Sequence, residues 1–246
     1  MASKSETGHA RNVANFATLI TAVDALGATY NPSKTILTLN ALKELKTASE
    51  EILAGVNAKF GVSNKAIADR ETLFSNLSKL VTRVINALRA SDAGPAVIAS
   101  AGSLVKKLQG RRSSPSKATG DEASEEGGSA GKISSSQMGF DNRIQNFDRF
   151  IQFLSNIPEY NPNEEELKIT ALTDYYHALQ ETNAIAVEAS TILTNSRIER
   201  DRILYSTGTG LVDVALGVKI YVKSIYGTTS PQYKQVSGLS FRNVKK

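Results

Sequence analysis

Apolar residues recur every three or four positions along most of the chain, which is the period of amphipathic helices and not the alternation of half-buried strands. After Phe140 the positions Ile144, Phe147, Ile151 and Leu154 form one stripe, with Arg143, Asp148 and Gln152 set away from it. The stripe stops before a Pro158-Glu159-Tyr160-Asn161-Pro162 turn. Asn163, three residues before Glu166, has the form of an N-cap answered by a carboxylate, and Glu164 to Glu166 favour the positive end of a helix dipole. Leu167, Leu172, Tyr175, Leu179, Ala186, Ala189 and Leu193 then carry a stripe for close to 30 residues, roughly 45 Å of helix. A third stripe begins at Ile198 and runs through Leu204, Leu211, Ala215, Val218 and Val222 to Ile225, crossing Gly208 and Gly210.

The first half shows the same plan. Its pattern predicts a helix from about His9 to Leu26, a second from about Ser33 to Lys59 ended by Gly61, and a third from about Asn64 to Ala90. An added apolar stretch from Pro95 to Leu108 opens with Pro, where a helix tolerates it, and ends at Gly110.

Laid against itself, the sequence matches at a nearly constant separation. Asn15-Phe16 recurs as Asn146-Phe147, 131 residues later, and Tyr30-Asn31-Pro32 recurs as Tyr160-Asn161-Pro162, 130 residues later. Leu37, Ala41 and Leu42 fall on Leu167, Ala171 and Leu172; Asn64, Ile67, Leu73, Leu80 and Val81 fall on Asn195, Ile198, Leu204, Leu211 and Val212. Equal element lengths twice imply the same fold twice. The expected architecture is therefore all-α: two homologous halves of about three helices each, forming helical bundles joined by a flexible linker. The first repeat with its extra helix covers 1–109, the linker 110–132, and the second repeat with a short extended tail 133–246. The linker assignment rests on composition, since Gly110 to Gly131 holds no large apolar residue with which to offset the entropy of ordering. Lys132 to Phe140 resembles a degenerate copy of Lys234 to Phe241, so each half is expected to end in an extended tail.

The repeated turn residues Tyr30, Asn31, Pro32, Tyr160, Asn161 and Pro162 have a structural reading. Pro disfavours helix in the residue before it and so separates one helix from the next, while a Tyr ring can pack at a bundle end with its hydroxyl on a helix terminus. The segment from Phe140 through Tyr160-Asn161-Pro162 to the closing Ser230-Pro231-Gln232-Tyr233-Lys234-Gln235-Val236-Ser237-Gly238 resembles a family of internally duplicated all-helical proteins. That resemblance implies the helical duplication and transfers no activity and no functional residue.

Composition removes much chemistry. Among 246 residues there is no Cys and no Trp, so disulfides, zinc ribbons, iron–sulfur clusters and thiol nucleophiles are excluded. The opening run Met1 to Asn12 lacks the apolar stretch of a secretory signal, and no window approaches a membrane span, which leads to the expectation of a cytoplasmic location.

The only histidines are His9, in a polar N-terminal run, and His177, three residues after Asp174. Neither has a visible set of metal ligands around it. Gly127 to Lys132 has three residues between its glycines where a phosphate-binding loop needs four, and Ile133 where that loop needs Ser or Thr. Gly208-Thr209-Gly210 lacks the third glycine of a dinucleotide site. Asp213 sits inside an apolar run but can face outward on a helical period. The Arg111 to Pro115 run has the look of a kinase or protease target, although dibasic linker runs are usually solvated charge. No catalytic residue, cofactor or metal is expected.

The net charge of +5 comes from residues 1–110, because the acids and bases of the rest balance. Within the second half the bases gather late: Lys219, Lys223, Lys234, Arg242, Lys245 and Lys246, interleaved with Tyr221, Tyr226 and Tyr233. They are the candidate residues for binding an anion or nucleic acid. The leading expectation is a non-enzymatic structural, assembly or scaffold protein acting through its bundle surfaces on a protein partner or on itself, with nucleic-acid or anionic-surface binding as the alternative.

Overall fold

The computed structural model describes residues 4–110 and 139–244. Among the described residues there are seven α-helices, short 3-10 turns and no strand. The helices are α1 (Lys4–Asp24), α2 (Leu39–Arg89), α3 (Pro95–Gln109), α4 (Phe140–Ser155), α5 (Ile169–Tyr205), α6 (Leu211–Tyr226) and α7 (Pro231–Ser237). The expected linker beyond Gly110, with its Arg111 to Pro115 run and nearly all of the Lys132 to Phe140 segment, lies outside the described residues.

Helix boundaries depart from the sequence reading in several places, and the tail expected to be extended from Lys234 is helical through Ser237, where Pro231 at the first helical position and the Ser230 cap start α7. The expected break at Gly61 is absent, and α2 runs unbroken for 51 residues. A lone glycine inside a helix costs only about 1 kcal/mol relative to Ala, and no proline or second glycine adjoins this one. Likewise α5 passes through Asn195 without interruption. The break comes instead between Tyr205 and Leu211, where two glycines act together. Gly208 adopts φ +75° and donates its amide to the Asp213 carboxylate at 2.8 Å, which places that acid at the start of α6. At Gly210 a Cβ would stand 2.5 Å from the Ser206 amide nitrogen, so only glycine fits. Finally, the cap expected at Asn163 is not made. A 3-10 turn, Thr35–Leu37 or Glu165–Leu167, precedes each long helix, and the Glu166 side chain reaches Arg83 instead of returning to Asn163.

The chain forms two compact units, one of Met1–Ser63 with Ala189–Lys246 and the other of Asn64–Glu188. They cut across the halves 1–109 and 133–246. An unbroken α2 cannot fold its second half back onto α1, as a turn at Gly61 would allow, so α1 buries its stripe elsewhere. In the first unit Phe16, Leu19 and Val23 of α1 pack with Leu211, Val214, Val218 and Val222 of α6, with Leu204 and Tyr205 of α5, and with Val236 of α7. In the second, Phe147, Phe150, Ile151 and Leu154 of α4 pack with Ala101, Val105 and Leu108 of α3 and with Phe74, Leu77, Val81 and Leu88 of α2. Each fully buried Phe or Leu contributes about 1.5–3 kcal/mol, so these partners decide where the first helix of each half goes.

His9 lies in a polar run of sequence, yet it is not at the surface. It is buried in the first unit, with Nδ1 on the Tyr205 hydroxyl. The segment after α7 is tied to α1 by amides, with Asn15 donating to the Ser240 carbonyl and Asn12 both donating to and accepting from the Arg242 backbone.

Both Tyr-Asn-Pro turns close in the same way. The buried Tyr30 hydroxyl donates to the Leu37 carbonyl at 2.6 Å, and the buried Tyr160 hydroxyl donates to the Leu167 carbonyl at 2.6 Å. Each bond ties the end of the turn to the end of the following 3-10 turn, seven residues on, and sets the direction of the long helix. Tyr30→Phe and Tyr160→Phe each strand a carbonyl and are expected to lower stability by about 1–3 kcal/mol, read from urea midpoints. Fragments 1–110 and 139–246, each lacking the partner of its first helix, are expected to unfold without cooperativity when separate and to regain a cooperative transition when mixed. Two independently cooperative fragments would contradict the exchanged packing.

Candidate functional site

The structure does not present the late basic residues as one set. The Lys219 ammonium is committed to the chain itself, donating to the carbonyls of Ser237 at 2.8 Å and Leu239 at 3.0 Å, and burial lowers its pKa. Lys223, Lys234 and Arg242 are exposed, while Lys245 and Lys246 lie outside the described residues. His177 and Asp174 are both exposed on α5, the imidazole beside the Tyr176 ring. Among the described residues no group of three His, Asp or Glu is arranged to hold a metal ion.

The repeated turns, by contrast, differ in a chemically meaningful way. In the first unit the Tyr30 ring meets the Tyr221 ring edge-on, centroids 5.3 Å apart. The Asn31 amide donates to the Tyr221 hydroxyl at 3.2 Å, and Tyr226 shares a hydrogen bond with Thr29. Val214 and Val218 are fully packed beneath, Gly217 lies against Leu37, and Pro32 is buried.

In the second unit the four α6 positions Val214, Gly217, Val218 and Tyr221 correspond, 131 residues earlier, to Arg83, Asn86, Ala87 and Ala90. Those four residues line an open cavity of about 530 Å³ over Tyr160, together with Asn161, Pro162, Glu159, Glu164 and Leu167. Pro162 is correspondingly only half-buried. Where one unit holds an aromatic ring and a valine, the other has two methyl groups and a space.

The rim of the cavity is polar. Arg83 makes a two-pronged pair with Glu166, at 2.8 and 2.6 Å, and Arg89 donates to the Asn86 side chain. The pair raises the Arg83 pKa and holds the Glu166 carboxyl below its ordinary range, chiefly through the hydrogen bonds and then through charge attraction. Burial pushes the Tyr160 phenol up to about 12, with Glu164 adding to the shift, so Tyr160 is a neutral donor at physiological pH. Burial does the same to Tyr30, followed by the influence of Tyr221. The cavity therefore offers a small apolar wall, a neutral phenol underneath, and a rim of amides and paired charges.

Sequence reasoning singled out Tyr160, Asn161 and Pro162 but missed Arg83, Asn86, Ala87 and Ala90. Alanines carry no chemical signal alone; only their alignment with Val218 and Tyr221 reveals a deletion of volume. No family model, no curated protein and no solved structure matches the chain. No helix among the described residues is long and apolar enough to cross a membrane.

Glu166 is expected to titrate below the ordinary carboxylate value and to move up toward it in Arg83→Gln, as followed by carbon-detected NMR. Because the folded value is the depressed one, the contribution of the pair is present above the ordinary carboxylate pKa and disappears as pH falls through the folded value. A Glu166 titration that ignores Arg83→Gln would show that the pair does not form.

Proposed function

We propose that the protein is a non-enzymatic assembly or scaffold component, built from two copies of one helical repeat and acting by self-association. The observation that carries this reading is a set of large apolar side chains left in water on the first unit: Phe60 at 47% exposure and Val62 at 64% on α2, Ile192 at 44% and Ile198 at 64% on α5. Single exposed apolar residues are ordinary. Here they stand on two helices joined through Ser63 with Ser190 and Lys59 with Ser196; Phe60 and Val62, two positions apart, lie on different sides of α2, so each offers a partner its own apolar contact. The Phe60 ring also lies 5.9 Å from the Arg197 guanidinium, an aromatic and cationic combination common at interface centres.

Three repeated features support the duplication. The tyrosine-to-carbonyl bonds are the same in both turns. Phe16, Leu19, Ile20 and Val23 on α1 are buried, as are Phe147, Phe150, Ile151 and Leu154 at the corresponding positions of α4. The ring pair His9–Tyr205 stands 131 residues from the pair Phe140–Phe74 at both members. A duplicated chain presents two related surfaces, which favours closed association with a second copy. The nucleic-acid alternative loses Lys219, which is held by the tail, and keeps the exposed Lys223, Lys234 and Arg242.

Sedimentation velocity is expected to show a concentration-dependent dimer. Phe60→Glu combined with Ile198→Glu is expected to weaken it at least tenfold with an unchanged helical circular dichroism spectrum. A wild-type chain that stays monomeric at hundreds of micromolar would overturn the self-association reading.

A further inference from the structure

We propose that the cavity over Tyr160 is a binding site for a phenolic ring supplied by a ligand. The protein itself displays the occupied form of this site. In the first unit the same Tyr-Asn-Pro turn carries the Tyr221 ring edge-on to Tyr30, its hydroxyl accepting from the Asn31 backbone amide. At the second turn the aromatic is replaced by Ala90 and the valine beneath it by Ala87. Tyr160 keeps the same backbone bond, so the floor of the site is held in the same conformation with or without an occupant.

The recess is open to solvent, with Asn86, Ala90, Asn161 and Asn163 exposed around it and the buried Tyr160 below, so an occupant can enter without a change in the scaffold. An open cavity of about 530 Å³ has room for one ring and the atoms that carry it. Its two kinds of surface match the two ends of a phenol. The face of the ring would lie against Ala87, Ala90 and Pro162, with its edge toward Tyr160. The Asn161 backbone amide donates to the Glu159 carbonyl at 3.1 Å, so the hydroxyl would reach the side-chain amides of the rim, Asn86 and Asn161. Arg83 is occupied by Glu166, so the site does not select for an anion. This comparison is geometric and is independent of whether the chain self-associates.

The test is a titration of the full chain, labelled with nitrogen-15, using p-cresol as the bare ring, toluene as the ring without hydroxyl, and N-acetyl-tyrosinamide as the ring on a peptide. Saturable shifts confined to residues around Ala90 and Tyr160 are expected with p-cresol, and binding at least fivefold weaker with toluene. Tighter binding of N-acetyl-tyrosinamide than of p-cresol would assign the ring to a peptide, and the reverse order to a free phenol; both support the site. Ala90→Tyr, which rebuilds the plug of the first unit, is expected to abolish the shifts while keeping or raising the melting temperature. Should that variant fail to fold, Ala87→Val narrows the same space and is expected to weaken p-cresol at least threefold. Absence of saturable shifts up to 10 millimolar p-cresol, equal binding of toluene, or undiminished binding by a folded Ala90→Tyr would overturn the proposal.

Discussion

Each half of the chain depends on the other for the partner of its first helix. The stripe of α1 is buried on α6 and α7, and that of α4 on α3 and the second part of α2. The cause is one local decision: α2 does not turn at Gly61. A turn there would let three helices of one half close on themselves. Without it, α1 lacks the end of its own half and must take the end of the other. The two cores are consequently made by pairing residues far apart in the sequence, and each core draws on both halves.

This interdependence explains which features were legible in the sequence. Helix content was, because burial of a stripe leaves a period of 3.6 whatever it packs against; Ile144, Phe147, Ile151 and Leu154 are buried as their spacing implies. Helix ends were less so. Gly61 and Gly210 look alike as letters, yet the first stands in open space on an exposed helix face while the second has backbone within 2.5 Å of where its Cβ would be. Partner choice was not legible at all, since periodicity identifies an apolar face without saying what it meets. His9 is the sharpest case: a histidine among polar letters becomes buried because Tyr205, 196 residues away, reaches it.

The same reasoning applies to the candidate site. Tyr160, Asn161 and Pro162 were visible because they repeat. The residues that open the cavity were not, because a loss of volume has no motif. Ala87 and Ala90 are ordinary helix formers, and only beside Val218 and Tyr221 do they become informative. Arg83 shows the complementary case. Val214, 131 residues later, is a core residue, whereas Arg83 is exposed and its charge is balanced by Glu166 from the turn. The carboxylate of Glu166, expected to return to the start of its helix, instead takes both prongs of the Arg83 guanidinium.

Two Tyr-Asn-Pro turns closed by the same tyrosine-to-carbonyl bond, one covered by an aromatic ring and one lying under an open cavity, amount to an internal comparison. The shared parts, the tyrosine-to-carbonyl bond and the buried faces of α1 and α4, report what the fold requires, because either unit would lose its turn or its core without them. The parts that differ report what the fold does not require. Stability alone would favour the closed arrangement of Tyr221 over Tyr30 at both turns, since an aromatic pair adds about 0.5–1.5 kcal/mol beyond its buried area. The second turn forgoes that contribution and surrounds the space with hydrogen-bonding groups, Asn86, Asn161 and Asn163 among them. Polar groups around an apolar recess discriminate between occupants more than they strengthen the scaffold, which is why the proposed binding site is the open turn and not the filled one.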